Sequence, residues 1–217
     1  MKPGIFNPKS KISGFTLVEM LVVLGIFAVL TTIVVIGSNS FNSSVVLTNA
    51  AYNLAQDVRE MQVYAVSVRE DAPGSFGSGA GARFALGSSY TLFTDLSSGG
   101  TPDRLYSGPS ETLRTTVLPR QIFISKICAG MTLRTGYDER CTGDGRTPEL
   151  GAVDVSFLRP ALEPAIRGVY TAANSLCSGN TVCAEDKVDV YLTIPCAESP
   201  CRERRVSVNA FGRVEVN

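Results

Sequence analysis

An apolar run from Phe15 to Ile36 constrains this chain more than any other feature of its sequence. The run contains 22 residues, and Glu19 is the single charged residue among them. A helix of this length can cross a hydrocarbon layer of about 30 Å. An ionisable side chain in such a segment costs roughly 2.5–3.5 kcal/mol at the helix centre. Glu19 is therefore a functional candidate that needs a partner.

Three interpretations of this N-terminal region are open from the residues alone. An ordinary signal peptide would be cut after the run, where Ser38, Asn39 and Ser40 offer a small-residue site. The apolar core of a signal peptide is usually only about 7–15 residues long, however. A plain membrane anchor fits the length and leaves Glu19 unexplained. Cleavage before the run would keep the apolar helix in the mature protein.

The segment KISGFTLVEMLVVLGIFAVL resembles the prepilin signal of type IV pilins and type II secretion pseudopilins. In that pattern a short basic leader ends in glycine, and a phenylalanine, an acid four residues later and an unbroken apolar helix follow. The resemblance implies that a prepilin peptidase cuts between Gly14 and Phe15 and that the new amine of Phe15 is methylated. It also implies two kinds of partner, namely other pilin or pseudopilin subunits and an inner-membrane assembly platform.

Charge and helix geometry agree with this cleavage. The leader, residues 1–14, carries three lysines and no acid. The positive-inside rule therefore predicts a cytoplasmic leader and a C-terminal domain on the opposite side of the membrane. The resemblance implies that this membrane is the inner membrane, that the chain spans it once before assembly into a filament, and that the C-terminal domain is periplasmic or extracellular. The amine created at Phe15 lies about one helical turn before Glu19. In a bundle of apolar helices it can pair with Glu19 of a neighbouring subunit, so only one axial register neutralises both charges. A glutamate that merely snorkels to the headgroups is the alternative.

Residues 15–36 are thus the predicted transmembrane and assembly helix, and residues 37–72 are its amphipathic second half. Gly37–Ser40 is a cluster of poor helix formers and a weak point. Beyond it, apolar residues alternate spacings of four and three, which predicts a helix that ends near Glu70 and has one buried face. The stripe consists of Leu47, Ala51, Leu54, Val58, Met61, Ala65 and Val68.

Residues 73–217 are predicted to form a β-rich globular domain. Its glycine-rich start, Pro73–Gly81, is expected to be a flexible connector. Segments rich in β-branched and aromatic residues then predict antiparallel strands, and the last closes as a hairpin with its turn at Asn209–Gly212. The strand segments are RFALG, SYTLFTDL, TTVLP, QIFISKI, AVDVSFL, KVDVYLTI and RRVSVNAFGRVEV. A long helix packed on an antiparallel sheet is an α+β fold. This order, with the closing pair Gly212-Arg213, resembles the GspH/FimT kind of minor pseudopilin and minor pilin.

All six cysteines lie in the second half of the chain. An even number in loop-rich sequence behind a membrane segment indicates disulfides in an oxidising compartment, with a reduced thiol core as the alternative. We predict bridges between sequential neighbours. The predicted pairs are Cys128–Cys141, Cys177–Cys183 and Cys196–Cys201.

The sequence offers no catalytic constellation. It contains no histidine, which excludes Ser-His-Asp and Cys-His nucleophilic sites and the zinc sites that use histidine. We therefore predict that the protein is not an enzyme, needs no cofactor and has no metal centre. Two acidic loops, Asp95–Asp103 and the pair Asp138 and Asp144, could offer oxygens to calcium. Neither has EF-hand spacing, and ordinary turn aspartates explain both.

Four arginines near the C-terminus could bind DNA. Some minor pilins of the FimT type, which this segment resembles, take up DNA through a Gly-Arg-x-Arg ending. Here Gly212-Arg213 is followed by Val214 and Glu215, so an acid stands where the second arginine would be. An edge strand protected from aggregation by its charges is the alternative. The four are Arg202, Arg204, Arg205 and Arg213.

Together these observations predict a minor pilin or pseudopilin, a structural subunit of a type IV pilus or a type II secretion system. Two alternatives stay open. One is a minor pilin that binds DNA during uptake, and the other is a membrane-anchored binding domain that never polymerises.

Overall fold

The structure is a computed structural model that describes residues 14–67, 78–96, 102–119, 121–133, 136–159, 161–177, 179–195 and 201–217. Within these ranges the chain forms one long helix, two short 3-10 helices and eleven strands. The helix α1 is Leu17–Val66, and the 3-10 helices are Pro109–Glu111 and Ser175–Cys177. The strands are β1 (Gly79–Ala85), β2 (Ser89–Asp95), β3 (Thr112–Val117), β4 (Phe123–Leu133), β5 (Gly136–Cys141), β6 (Leu150–Leu158), β7 (Ala161–Asn174), β8 (Asn180–Glu185), β9 (Lys187–Thr193), β10 (Glu203–Asn209) and β11 (Val214–Val216).

The chain divides into two compact units, Met1–Asn42 and Ser43–Asn217, which we call unit 1 and unit 2. The boundary falls just after Gly37–Ser40, where poor helix formers cluster. At its C-terminal end α1 is closed by Ser67, whose hydroxyl donates to the Tyr64 carbonyl at 2.7 Å. The helix therefore ends a few residues before the position that the apolar pattern predicts.

Unit 2 contains two antiparallel sheets. The strand order is β3-β2-β1-β6-β7-β8 in the six-stranded sheet and β11-β10-β9-β4-β5 in the five-stranded sheet. The predicted C-terminal hairpin is confirmed, because β10 pairs with β11 and Gly212 takes the left-handed conformation of its turn with φ 77°. The predicted α+β class is confirmed as well.

One apolar cluster joins the second half of α1 to the inner faces of both sheets. Leu54, Val58 and Met61 of the predicted stripe have no exposed surface, and Phe84 and Leu192 are buried with them in the same cluster. Burying a Leu, Val or Met side chain stabilises the fold by roughly 1.5–3 kcal/mol. The period of the stripe therefore predicted the correct buried face. Val68, its last predicted member, lies outside the described residues.

Three strands, β5, β7 and β8, were not predicted from the sequence. β7 is long but contains Pro164 and several alanines, which are poor indicators of a strand. Its first residues pair with β6, whereas its pairing with β8 begins only at Ile166. At Pro164, β7 therefore pairs with β6 on one side and has no described partner strand on the other. Proline is tolerated at such a position because its missing N–H group need not donate to a second strand.

The predicted flexible connector is wrong at its C-terminal end, because Gly79–Gly81 belongs to β1. A Cβ on Gly81 would lie 2.5 Å from the Val155 carbonyl oxygen and 2.8 Å from the Phe93 ring. Close packing of the six-stranded sheet, rather than flexibility, therefore explains this glycine. Residues 68–77 of the same region lie outside the described part of the chain.

Each of the two described disulfides ties one unpredicted strand, β5 or β8, to another segment of the chain. Cys128–Cys141 and Cys177–Cys183 are both bonded, as predicted. Cys128 and Cys141 are direct partners in the β4–β5 ladder, and the second bond ties the turn after β7 to β8. Cys201 is also disulfide-bonded. Its predicted partner, Cys196, lies outside the described residues.

The carboxylate of Asp57 fastens α1 to the β3 edge of the six-stranded sheet. Its Oδ2 accepts hydrogen bonds from the hydroxyls of Tyr90 at 2.7 Å and Thr116 at 3.3 Å. Its Oδ1 accepts one from Arg114 at 3.1 Å. Burial, together with the charge of Asp57, raises the pKa of Tyr90, so this hydroxyl stays protonated and remains a donor.

We expect Asp57→Ala to lower the free energy of unfolding by roughly 1–3 kcal/mol, because the buried Tyr90 hydroxyl loses its acceptor. Urea denaturation of the full-length protein in detergent would measure the loss. Glu60→Ala is the matched control, because it removes only the half-exposed second partner of Arg114 and should change stability by less than about 0.5 kcal/mol. An equal loss in both variants would contradict the role assigned to Asp57.

Candidate processing and assembly site

The peptide bond between Gly14 and Phe15 lies just before α1. Both residues are exposed, with 76% of Phe15 accessible. A Cβ on Gly14 would meet no atom within 4 Å. A peptidase could therefore reach this bond without unwinding the helix.

Thr16 caps the N-terminus of α1. Its Oγ1 accepts a hydrogen bond from the backbone N–H of Glu19 at 3.2 Å, which satisfies one of the unpaired donors of the first turn. A threonine followed three residues later by glutamate is the pattern of a capping box. Sequence reasoning missed Thr16, although the letters TLVE carry this signal. Glu19 also lies where the helix dipole favours a negative charge.

Leu17–Val35 is the one helix segment in the described chain that is long and apolar enough to cross a membrane, by length and composition. Its large apolar side chains are 52–80% exposed. The two threonines in the segment have local partners, because Thr31 donates to the Phe27 carbonyl at 2.7 Å and Thr32 to the Ala28 carbonyl at 2.8 Å. Polar groups satisfied in this way are compatible with an apolar environment. In such an environment the charge of the Glu19 carboxylate would still need a partner that neutralises it.

The C-terminal arginines of unit 2 do not share one face. Arg204 and Arg205 are neighbours on β10, so their side chains lie on opposite faces of the five-stranded sheet. Arg202 and Arg204 each donate to a hydroxyl on α1, and Arg213 forms an ion pair with Glu215. Arg205 is half-buried. The structure therefore gives these arginines different surroundings.

The acidic loops considered for calcium hold their carboxylates in other contacts. Arg146 forms ion pairs with both Asp138 and Asp144. Asp95 is buried and accepts a hydrogen bond from the Arg104 backbone at 2.7 Å.

One group of potential metal ligands lies close together among the described residues. It consists of Cys128, Glu139 and Cys141. Its two cysteines are bonded to each other, so their sulfur atoms are not available as thiolate ligands.

Buried carboxylates form a second electrostatic feature of unit 2, one that the sequence does not reveal. Asp154 accepts hydrogen bonds from the Tyr106 backbone at 3.2 Å and from Arg83 at 3.3 Å. Glu185 accepts one from the Tyr170 hydroxyl at 2.8 Å. Burial raises the pKa of Asp95 and of Asp154 to about 6, and it raises the pKa of Glu185 to about 7. These acids therefore bind protons more tightly in the folded protein than in the unfolded chain.

This excess of bound protons predicts that the folded protein becomes less stable as the pH rises from about 4 to about 7. In that window the native state binds more protons than the unfolded state, so the free energy of unfolding falls with increasing pH. Thermal unfolding at pH 5 and at pH 8 would test the direction. A stability that is flat or rises over this range would contradict the assignment.

Glu185→Gln should raise stability at pH 8 and change it little at pH 5, because the amide oxygen can still accept from Tyr170 and carries no charge. The exposed Glu163→Gln is the matched control, because it removes one charge from the surface and should change stability by less than about 0.5 kcal/mol at pH 8.

Residues 9–35 match a family model described as the prokaryotic N-terminal methylation motif. The matched segment contains Gly14, Phe15 and Glu19 and the part of α1 that is long enough to span a membrane. Neither a search of curated proteins nor a search of solved structures gave a match. The motif supports a type IV pilin-like protein that is processed by a prepilin peptidase.

Proposed function

We propose that the chain is a minor pilin or pseudopilin, a structural subunit of a type IV pilus or a type II secretion system. The single observation that carries the proposal is the methylation motif at residues 9–35. The exposed Gly14–Phe15 bond supports it, as does the exposed apolar surface of Leu17–Val35. The long helix and the antiparallel strands support a pilin-like subunit, and we propose the GspH/FimT kind because the closing strand also carries the pair Gly212-Arg213.

In this proposal the function is assembly. The basic leader holds the N-terminus in the cytoplasm, and prepilin peptidase removes residues 1–14 and methylates Phe15. The inner-membrane assembly platform then brings the apolar helices of several subunits side by side. The amine of Phe15 pairs with Glu19 of a neighbouring subunit, because any other register leaves both charges unpaired in an apolar bundle. Unit 2 is carried to the periplasmic or extracellular side.

The carboxylate of Glu19 then has a role that differs from the local role of Thr16. Thr16 and the backbone of Glu19 start the helix within one subunit, whereas the carboxylate is available to a second subunit. The two roles can be separated by substitution, because glutamine at this position still fits the capping-box pattern but has no charge.

The DNA-binding alternative depends on the four C-terminal arginines. Arg202, Arg204 and Arg213 have partners within unit 2, so their guanidinium groups would have to exchange these contacts for phosphates. We therefore favour the structural role. DNA binding would appear as an electrophoretic shift that weakens steeply as salt is raised.

The mature chain should begin at Phe15, as N-methylphenylalanine. Gly14→Glu should block cutting, because a site that accepts the smallest residue beside the scissile bond has no room for a charged side chain. Intact-mass measurement of the membrane-extracted protein would show both results. A mature chain that starts near Phe41 would instead support the ordinary signal peptide, and an uncut chain would support the plain anchor.

Glu19→Gln should be cut after Gly14 as efficiently as the natural chain but incorporated poorly into sheared filaments or co-purified pilin complexes. An uncompensated buried charge costs roughly 3–5 kcal/mol, and the Phe15 amine would be left in that state. Methylation should fall as well. Glu19→Val should behave in the same way and insert into the membrane at least as readily.

Thr16→Val is the matched control, because it removes the capping hydroxyl and keeps the carboxylate of Glu19. It should be incorporated much better than Glu19→Gln. Normal incorporation of Glu19→Val would mean that the carboxylate only snorkels, and the assembly mechanism would lose its main physical support.

A further inference from the structure

The C-terminal segment of unit 2 contacts the start of its helix through two arginines. Arg202 donates from Nη1 to the hydroxyl of Ser44 at 2.7 Å. Arg204 donates from Nε to the hydroxyl of Thr48 at 3.2 Å. Ser44 and Thr48 are four residues apart and therefore lie on one face of the helix, one turn after the other.

The direction of each arginine follows from the pleat of β10. Arg204 lies on the same face as Val206 and Val208, which belong to the buried cluster, so its side chain projects toward the helix. Arg205 lies on the opposite face, where its partner in the β9 ladder is Tyr191. The arginine cluster therefore contains members with different roles, even though they are adjacent in sequence.

A third contact fastens the same hairpin to the helix further along. Arg59 donates from Nη2 to the Val214 carbonyl of β11 at 3.0 Å. The hairpin formed by β10 and β11, together with Arg202 just before it, is thus held to the unit 2 part of α1 at Ser44, at Thr48 and at Arg59.

The helix has less apolar support around Ser44 than further along, although Val46 and Leu47 both pack against the buried cluster. Leu47 is the first fully buried side chain of unit 2, whereas Ser43 and Ser44 are half-buried and Val45 is exposed. The first turn of the helix in unit 2 therefore depends on polar contacts more than the turns around Leu54 and Val58 do.

We propose that the C-terminal hairpin is a clamp for the first turn of the unit 2 helix, and that Arg202 and Arg204 are positioning residues without which the subunit assembles poorly. The clamp fixes the residue at which the globular unit begins on α1. Its link to assembly rests on the function proposed above, whereas its effect on the helix does not.

The double variant Arg202→Ala/Arg204→Ala of the full-length protein in detergent tests the clamp. Hydrogen exchange of the peptide covering residues 43–50 should accelerate by tenfold or more, because the loss of even one of the two hydrogen bonds from charged donors is expected to have an effect of about that size. The peptide covering residues 54–61 should be unchanged. Arg205→Ala/Arg213→Ala is the matched control, because it removes the same charge from the same hairpin and should leave both peptides unchanged.

A second variant, which replaces the hydroxyl acceptors on the helix, tests the clamp even if the arginine variant folds poorly. Ser44→Ala/Thr48→Val removes both acceptors and keeps every arginine, and it should accelerate exchange in residues 43–50 to a similar extent. Unchanged exchange in this variant, or equal acceleration in the control, would overturn the clamp.

Incorporation into sheared filaments or co-purified pilin complexes tests the second part of the proposal. Both clamp variants should be cut after Gly14 at the normal rate and incorporated several-fold less than the control. Normal incorporation of the clamp variants would overturn their role in assembly. If the natural chain itself is never incorporated, the proposed function fails, while the exchange experiment still decides whether the clamp exists.

Discussion

Eight residues of α1 between Leu47 and Ala65 are buried in the cluster that also contains the inner faces of both sheets. An antiparallel sheet with one apolar face needs a covering layer, and the helix supplies part of that layer to each sheet. Four of the eight helix residues are alanines, which occupy little space beside the larger side chains of the strands. Polar contacts such as that of Asp57 with Tyr90 then fix the helix against the sheet edge. The position of the helix in unit 2 therefore depends first on the burial of these eight residues.

The parts of the fold that the sequence predicts well are those governed by local periodicity. The helix stripe is readable because Leu54, Val58 and Met61 are large apolar residues among polar ones. The central strands β6 and β9 are readable because valine and other β-branched or aromatic residues recur in them. β5 and β8, with the sequences GYDERC and NTVCAE, are edge strands that bury less and carry more polar residues. The sequence predicted a disulfide-bonded cysteine in each of these two segments, but it did not predict that either segment forms a strand.

The candidate processing site is local in sequence, so its residues can be proposed from the sequence alone. Gly14, Phe15 and Glu19 lie within six residues, and the capping-box pattern that begins at Thr16 lies in the same segment. The electrostatics of unit 2 are different, because they arise from tertiary burial. Nothing in the residues around Asp154 or Glu185 indicates that their side chains will be covered, and hence that their pKa values will rise. The partners of the C-terminal arginines were hidden for the same reason, since no local pattern connects Arg202 with Ser44.

The C-terminal hairpin is synthesised long after the helix that it contacts. Arg202 follows Ser44 by 158 positions, and Arg204 follows Thr48 by 156. At a synthesis rate of about 5–20 residues per second, the hairpin emerges roughly 8–30 seconds after the helix that it contacts. During this interval the buried stripe of α1 lacks its final covering strands and is exposed to aggregation or to chaperones. If the chain has the function proposed above, the order of synthesis gives the apolar N-terminal run time to enter the membrane before the globular unit can close.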